Sequence, residues 1–146
     1  KSSFRSSTKY LTMILTYSFD KFVDAIKSGE KIHTIREDFS NRWKPGMTIQ
    51  HWRGSPRNVE MNPYHFHSGV CVSVQQITIR KGCNLMKNGM TIIVDDRFLT
   101  DEEIEILVKN DGLTIAEFHE FFLFDEPLQF FSGKIIHFTD FRYLLP

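Results

Sequence analysis

The sequence predicts one α+β domain in which a small β-barrel of five or six strands is decorated by about three short helices. Three observations support this prediction. The length of 146 residues suits one domain with its own core. Short apolar runs of strand length alternate with segments whose apolar residues recur at helical spacing. The last strand-like run has bulky side chains on both faces, which is typical of a barrel wall.

The first half of the chain predicts two strands, a helix and a long loop. Residues 14–17 are an apolar run of strand length, and residues 19–26 place apolar side chains at helical spacing before Gly29, a residue suited to ending a helix. A Pro-Gly turn then precedes a strand over residues 48–53. Residues 53–68 are rich in Pro, Asn and His, and this composition predicts a long surface loop.

Strand patterns in the second half include a change of phase. Valines alternate with other residues from position 70 to position 74, and isoleucines then continue on the opposite parity at positions 77 and 79. This shift predicts a β-bulge at Gln75 and Gln76. Residues 91–94 and 134–143 predict two further strands.

Two capping-box patterns predict the starts of the second and third helices. Thr100 is followed three residues later by Glu103, and Thr114 is followed in the same way by Glu117. The third helix carries a run of aromatic residues at helical spacing, which we expect in the core. The run consists of Phe118, Phe121, Phe122 and Phe124.

Composition excludes several classes of protein. Lys plus Arg equals Asp plus Glu, 18 against 18, so nucleic-acid binding would need a local basic patch. No apolar run of about 18 residues is present, so we expect no membrane span and no membrane partner. Cys71 and Cys83 suit a reducing compartment, and a cytoplasmic location is expected. Residues 1–12 are polar and lack the apolar segment of a secretory signal; we expect a terminal arm or tag remnant before a single domain at residues 13–146.

The segment Gly29-Glu30-Lys31-Ile32-His33-Thr34-Ile35-Arg36 holds the densest set of candidate functional groups. Read as a strand, it would place polar side chains on both faces. We therefore interpret it as a bent, loop-like stretch whose polar groups converge on a site.

The pattern Gly-x-Lys-x-x-Thr-x-Arg in this segment resembles the signature of the ASCH domain, a small relative of the PUA fold associated with RNA. The resemblance extends in order from Met13 to Tyr143. It includes the Arg42-Trp43-Lys44-Pro45-Gly46 turn before Ile49, the segment Asp111-Gly112-Leu113-Thr114, and the closing run from Gly133 to Tyr143. The resemblance implies a PUA-like β-barrel and a pocket that recognises a nucleoside or an exposed base in RNA.

In this interpretation the partner is RNA or a free modified nucleoside, and no cofactor is required. Lys31 and Arg36 supply cationic hydrogen bonds, while Thr34 and Asp111 read polar edges of the base. Loop arginines take phosphate and tryptophans offer stacking surfaces. The candidate ligand-binding residues are Lys31, His33, Thr34, Arg36, Trp43, Trp52, Arg53 and Arg57.

Two alternatives stay open. Some small ASCH proteins are amidohydrolases that remove the acetyl group from N4-acetylcytidine with a Lys, a Thr three residues later and a distant Glu. Lys31 and Thr34 match that pattern, and Asp111 stands where the Glu would be, one methylene shorter. In the other alternative the motif is structural: Lys31 and Arg36 pair with Glu37, Asp38 or Asp111, and the protein is an interaction adaptor.

A metal site is not predicted. His65, His67 and Cys71, with His51, have a passable spacing for metal ligands, but no second Cys pair accompanies them.

Overall fold

The computed structural model describes residues 11–82, 86–123 and 130–144. These residues form an α+β fold whose eight strands lie in two sheets. The strands are β1 (Thr12–Tyr17), β2 (His33–Arg36), β3 (Thr48–Arg53), β4 (Tyr64–Val70), β5 (Ser73–Lys81), β6 (Met90–Val94), β7 (Arg97–Phe98) and β8 (Phe130–His137). The α-helices are α1 (Lys21–Ser28), α2 (Asp101–Asn110) and α3 (Ile115–Phe122).

This architecture confirms the α+β class and the three predicted helices, but the described strands number eight rather than five or six. They pair as a three-stranded sheet in the order β1-β3-β4 and a five-stranded sheet in the order β2-β8-β5-β6-β7. β1 runs parallel to β3, and the other pairs are antiparallel. The closed barrel stays a prediction. Residues 1–10 of the predicted arm, Cys83 and Phe124 lie outside the described residues.

The predicted bulge at Gln75 and Gln76 is wrong. β5 pairs with β8 without interruption from Ser73 to Arg80. The apparent phase shift arises because Gln75, a polar residue, is only 3% exposed and continues the inward parity of the isoleucines that follow it. A register shift occurs instead between β3 and β4, at His51 and Trp52.

The predicted long loop over residues 53–68 is interrupted by β4. This strand pairs antiparallel with β3, yet most of its side chains are exposed. Because β4 is an edge strand, backbone pairing rather than an apolar face defines it, and its polar composition conceals it in the sequence. The predicted strand over residues 134–143 is also corrected, since β8 ends at His137.

The ends of the helices follow local sequence signals. Gly29 ends α1 in a left-handed conformation with φ of 86°, as its position predicts. Complete capping boxes open α2 at Thr100 and α3 at Thr114, which confirms both patterns. No helix among the described residues is long and apolar enough to cross a membrane.

Candidate functional site

The second half of the motif is a regular strand, which corrects its interpretation as a loop. β2 pairs in register with β8, from His33 opposite His137 to Arg36 opposite Lys134. Its first three residues are buried, so both faces of the strand lie inside the protein. Polar groups are tolerated on both faces because those at His33 and Arg36 have hydrogen-bond partners inside the fold.

Lys31 precedes β2 and is held between the ends of two helices. Its backbone N–H donates to the carbonyl of Ala25 in α1, and the next N–H, from Ile32, donates to the carbonyl of Asn110 at the end of α2. The Lys31 side chain is 1% exposed. Its Nζ donates to the backbone carbonyl of Asp111 at 2.7 Å and lies 3.2 Å from Asp111 Oδ1.

The chain brings Asp111 to this lysine through the geometry of its turn. Asp111 caps the C-terminus of α2, and Gly112 follows with φ of 80°. A Cβ atom on Gly112 would lie 3.3 Å from Cδ of Lys31 and 3.3 Å from Cε1 of Phe22. Glycine therefore provides both the left-handed backbone and the space that the lysine side chain occupies.

Asp111 is also held from behind by His33. Oδ1 of Asp111 lies 3.1 Å from His33 Nδ1, and His33 Nε2 lies 2.7 Å from the hydroxyl of Tyr143. Because a carboxylate only accepts, Nδ1 carries the hydrogen and Nε2 accepts from Tyr143. The Tyr143 oxygen in turn accepts from the Asn110 amide at 3.2 Å. Both ring nitrogens of His33 and the hydroxyl of Tyr143 therefore have hydrogen-bond partners.

The electrostatics of the lysine follow from its burial. Burial lowers the pKa of Lys31 from 10.5 to about 8, and the carboxylate of Asp111 opposes this shift. Burial likewise lowers the pKa of His33, so this imidazole is neutral at neutral pH. Lys31 is therefore mostly protonated at pH 7, but it can lose its proton near pH 8.

Lys31, Thr34, Arg36 and Asp111 line one cavity of about 350 Å³. The Arg36 guanidinium donates to the carbonyl of Thr16 at 2.8 Å. Thr34 is 4% exposed, and its hydroxyl has no hydrogen-bond partner among the described residues. Aromatic side chains form much of the remaining wall: Tyr17, Phe22, Phe121, Phe122 and Phe131.

This cavity has hydrogen-bonding capacity that the described protein atoms leave unused. Arg36 has five N–H donors, of which the described contacts use one. Lys31 has three, and Asp111 takes two. The charged side chains that line the cavity are two cations, Lys31 and Arg36, and two carboxylates, those of Asp111 and the exposed Glu37. The cavity thus offers free N–H donors from Lys31 and Arg36 together with aromatic surface.

The other predicted ligand-binding residues do not line this cavity. His33 is 0% exposed and lies behind Asp111. Trp43 is buried in the core, and Trp52 stacks on His65 with 5.6 Å between ring centroids. The Arg53 side chain pairs with Asp20 at 2.6 Å. Arg57 is exposed and lies along a separate groove.

Sequence reasoning missed several residues that the fold brings to the site. Tyr17 lines the cavity, and its hydroxyl lies 2.8 Å from His51 Nδ1. Phe121 was expected in the core, but it is 45% exposed and lines the cavity, whereas Phe118 and Phe122 are buried as expected. Tyr143 gave no local signal, because its role depends on a contact with His33 across 110 positions.

Comparisons with known proteins find no relative that would identify this site. No family model, no curated protein and no solved structure matches the chain. Among the described residues, no group of three or more His, Cys, Asp and Glu side chains is arranged to hold a metal ion.

Proposed function

We propose that the cavity binds a nucleoside, or an exposed base of an RNA, with its polar groups on the edge of the base. The observation that carries this proposal is the convergence of Lys31, Thr34, Arg36 and Asp111 on one cavity with aromatic walls. A volume of about 350 Å³ lies within the range of small-molecule sites. Bases need a flat apolar surface for the ring and directional donors and acceptors at the edge, and this cavity offers both.

Local hydrogen-bond donors, rather than the overall charge, support this function. The chain has 18 basic and 18 acidic residues, so overall charge would not drive sequence-independent binding of a long nucleic acid. The cations that matter are the pair at the cavity, buried Lys31 and half-buried Arg36, which lie beside the carboxylates of Asp111 and Glu37. A ligand with carbonyl oxygens at its edge would use their free N–H groups.

Membership of the ASCH family belongs to the same proposal, together with a closed PUA-like barrel and a cytoplasmic location. The motif that resembles the ASCH signature supplies Lys31, Thr34 and Arg36 to the cavity, and the segment beginning at Asp111 supplies a carboxylate. That coincidence supports the proposal because the two segments lie 80 positions apart.

Calorimetric titration with cytidine and N4-acetylcytidine tests the binding function. Thr34→Val keeps the shape of the side chain and removes its hydroxyl, so we expect affinity to fall about fivefold, the effect of one hydrogen bond of about 1 kcal/mol. Thr78→Val, on the half-buried face of β5 away from the cavity, is the matched control and should bind as the wild type does. Equal affinities of the wild type and Thr34→Val for both nucleosides would contradict the proposal.

An amidohydrolase is the second candidate, and the state of Lys31 favours it. With its pKa lowered to about 8, about one lysine in ten is neutral at pH 7 and can accept a proton. In this reaction the hydroxyl oxygen of Thr34 attacks the acyl carbonyl while Lys31 takes its proton. The C–N bond then breaks, Lys31 returns the proton to the leaving amine, and water hydrolyses the acyl-threonine ester.

Release of cytidine from N4-acetylcytidine, followed by chromatography, tests the hydrolase. We expect turnover to rise with pH and to level above about pH 8, since the base form of Lys31 is required. Lys31→Ala should abolish turnover, with Lys44→Ala, an exposed lysine, as control. If the protein binds the nucleoside without hydrolysing it, we expect the opposite pH dependence. Affinity should then fall above about pH 8, because Lys31 loses its ammonium donor. No turnover by a folded wild-type protein would exclude hydrolysis of this substrate.

A further inference from the structure

A second concave surface lies beside the cavity and differs from it in chemistry. We call it the arginine groove; it has a volume of about 330 Å³ and runs between β1 and the loop that follows β3. Its polar side chains are those of Thr12, Thr16, Arg42, Ser55 and Arg57. None of the residues that line it is acidic. The groove therefore presents two guanidinium groups and three hydroxyls, of which that of Thr12 already bonds Thr48 Oγ1 at 2.8 Å.

Neither guanidinium group has a carboxylate partner within the described part of the chain. Arg42 lies near Asp38, but the Asp38 carboxylate already accepts from the backbone N–H groups of Arg42 and Trp43 and pairs with Lys134 at 3.0 Å. Among the described residues, the Arg42 guanidinium has one hydrogen-bond contact, a distant one at 4.0 Å from the sulfur of Met13. No carboxylate of the described residues therefore competes with an anion from solution for these two cations.

Local hydrogen bonds hold the loop that carries Arg57. The N–H of Gly54 donates to the carbonyl of Tyr17 at 3.0 Å, which ties the start of the loop to β1. The N–H of Asn58 donates to the carbonyl of Ser55 at 2.9 Å, and the N–H of Arg57 donates to the hydroxyl of Ser55. Arg57 therefore projects from a turn that is tied to the strand at the base of the groove.

Thr16 connects the arginine groove to the cavity, since it lines both. Its carbonyl accepts from Arg36 at 2.8 Å on the cavity side. The two concave surfaces are therefore neighbours across one residue of β1. Arg53, the other arginine at this end of β3, is different because its side chain pairs with Asp20 at 2.6 Å.

We propose that the arginine groove is a phosphate subsite, so that the ligand of this protein is a nucleotide whose base enters the cavity and whose phosphate contacts Arg42 and Arg57. This inference rests on the proposed function and narrows it from nucleosides to phosphorylated ligands. Guanidinium groups bind phosphate oxygens through paired N–H donors, and hydroxyls add further donors. The phosphate is that of a free nucleotide or of an RNA strand.

Calorimetric titrations at low and high salt test the subsite with four ligands: cytidine, its 5′-monophosphate, its 3′-monophosphate and a cytidine-containing trinucleotide. We expect at least one phosphorylated ligand to bind about tenfold more tightly than cytidine at low salt. That gain should shrink with added salt, while the affinity for cytidine should not change. A gain with a monophosphate identifies a terminal phosphate, and a gain confined to the trinucleotide identifies a bridging phosphate.

The double variant Arg42→Gln, Arg57→Gln should lose the phosphate gain and keep the affinity for cytidine. Arg80→Gln, an exposed arginine on β5 outside the groove, is the control and should keep both. If cytidine binds and phosphate adds nothing, or if the gain survives in the double variant, the subsite is overturned while the cavity stands. If only phosphorylated ligands bind and the double variant abolishes that binding, the groove is supported and the cavity is overturned. No binding of any ligand overturns both.

Discussion

Asp111 is the residue on which the polar side of the cavity depends. Its side chain is 4% exposed, and its Oδ1 lies within hydrogen-bond distance of both Lys31 and His33. The lysine faces the cavity, whereas the histidine lies behind and connects to Tyr143. Asp111 therefore compensates a buried ammonium on one side and is oriented by a neutral imidazole on the other.

Removal of this carboxylate should destabilise the protein in a pH-dependent way. Asp111→Asn leaves the Lys31 ammonium buried without a counter-charge, and breaking such a pair costs about 3–5 kcal/mol. The pKa of Lys31, already lowered to about 8, should fall further in the variant, since the carboxylate opposes the effect of burial. The extra cost is therefore fully present below the pKa that Lys31 has in the variant. It decreases as pH rises above that value and is gone above about pH 8, where Lys31 is neutral in both proteins.

Denaturant unfolding at pH 6 and pH 9 measures this effect. The difference in the free energy of unfolding between wild type and Asp111→Asn should be larger at pH 6. Asp140→Asn, at an exposed position, is the control and should have little effect at either pH. A loss of equal size at both values of pH would show that the carboxylate does not compensate a charged lysine.

At the scale of elements, the site is built from the ends of helices rather than from their faces. α1 ends at Gly29 two residues before Lys31, and α2 ends next to Asp111. β2 begins at His33, and it contributes Thr34 and Arg36 to the cavity. Because ends of elements are joined by short turns, the backbone conformation of those turns determines where the functional side chains lie.

Gly112→Ala tests this dependence, with Gly46→Ala as a matched control. Both glycines have positive φ, of 80° and 95°, so alanine is strained at either position by roughly 1–2 kcal/mol. A Cβ at Gly46 has nothing within 4 Å, whereas one at Gly112 presses on Lys31 and Phe22 at 3.3 Å. We expect Gly112→Ala to lose about 1–3 kcal/mol more than the control, as overpacked sites do.

The same pair of variants separates stability from function. Gly46→Ala should bind cytidine as the wild type does, because position 46 lies away from the cavity. Gly112→Ala should bind it more weakly, because the lysine side chain must move. Unchanged affinity in a folded Gly112→Ala protein would show that the position of Lys31 does not matter for binding.

Elements with local signals were predictable from the sequence, and those defined by pairing were not. The glycine at position 29 and the capping boxes at Thr100 and Thr114 each act within four residues, so their patterns identify the helix ends. β4 was not predicted, because its side chains are mostly exposed and polar and do not alternate with buried apolar ones. Gln75 was not predicted to point inward, because a polar residue interrupts the alternation of apolar residues in the sequence. In the fold its side chain is buried and hydrogen-bonded to His137 and to the backbone of Tyr143.

At the scale of the whole molecule, the cavity joins residues from Thr16 in β1 to Phe131 in β8. Local sequence patterns indicated the polar motif but not its surroundings, since the contact of Lys31 with Asp111 spans 80 positions and that of His33 with Tyr143 spans 110. The convergence of Lys31 and Arg36 on one cavity, in a chain with 18 basic and 18 acidic residues, is likewise a property of the fold. Composition alone argues against nucleic-acid binding driven by overall charge, whereas the donors that Lys31 and Arg36 bring to the cavity support the proposed binding of a single base.

The most direct measurement of this central claim is an NMR titration of the wild-type protein with cytidine and N4-acetylcytidine, followed through backbone amide shifts. Binding in the cavity predicts saturable shifts at Thr34, Arg36 and Leu113, which surround it, and none at exposed positions of β4 on the other sheet. Saturable shifts confined to residues away from the cavity, or no shifts at millimolar nucleoside, would contradict the claim that this cavity recognises a base.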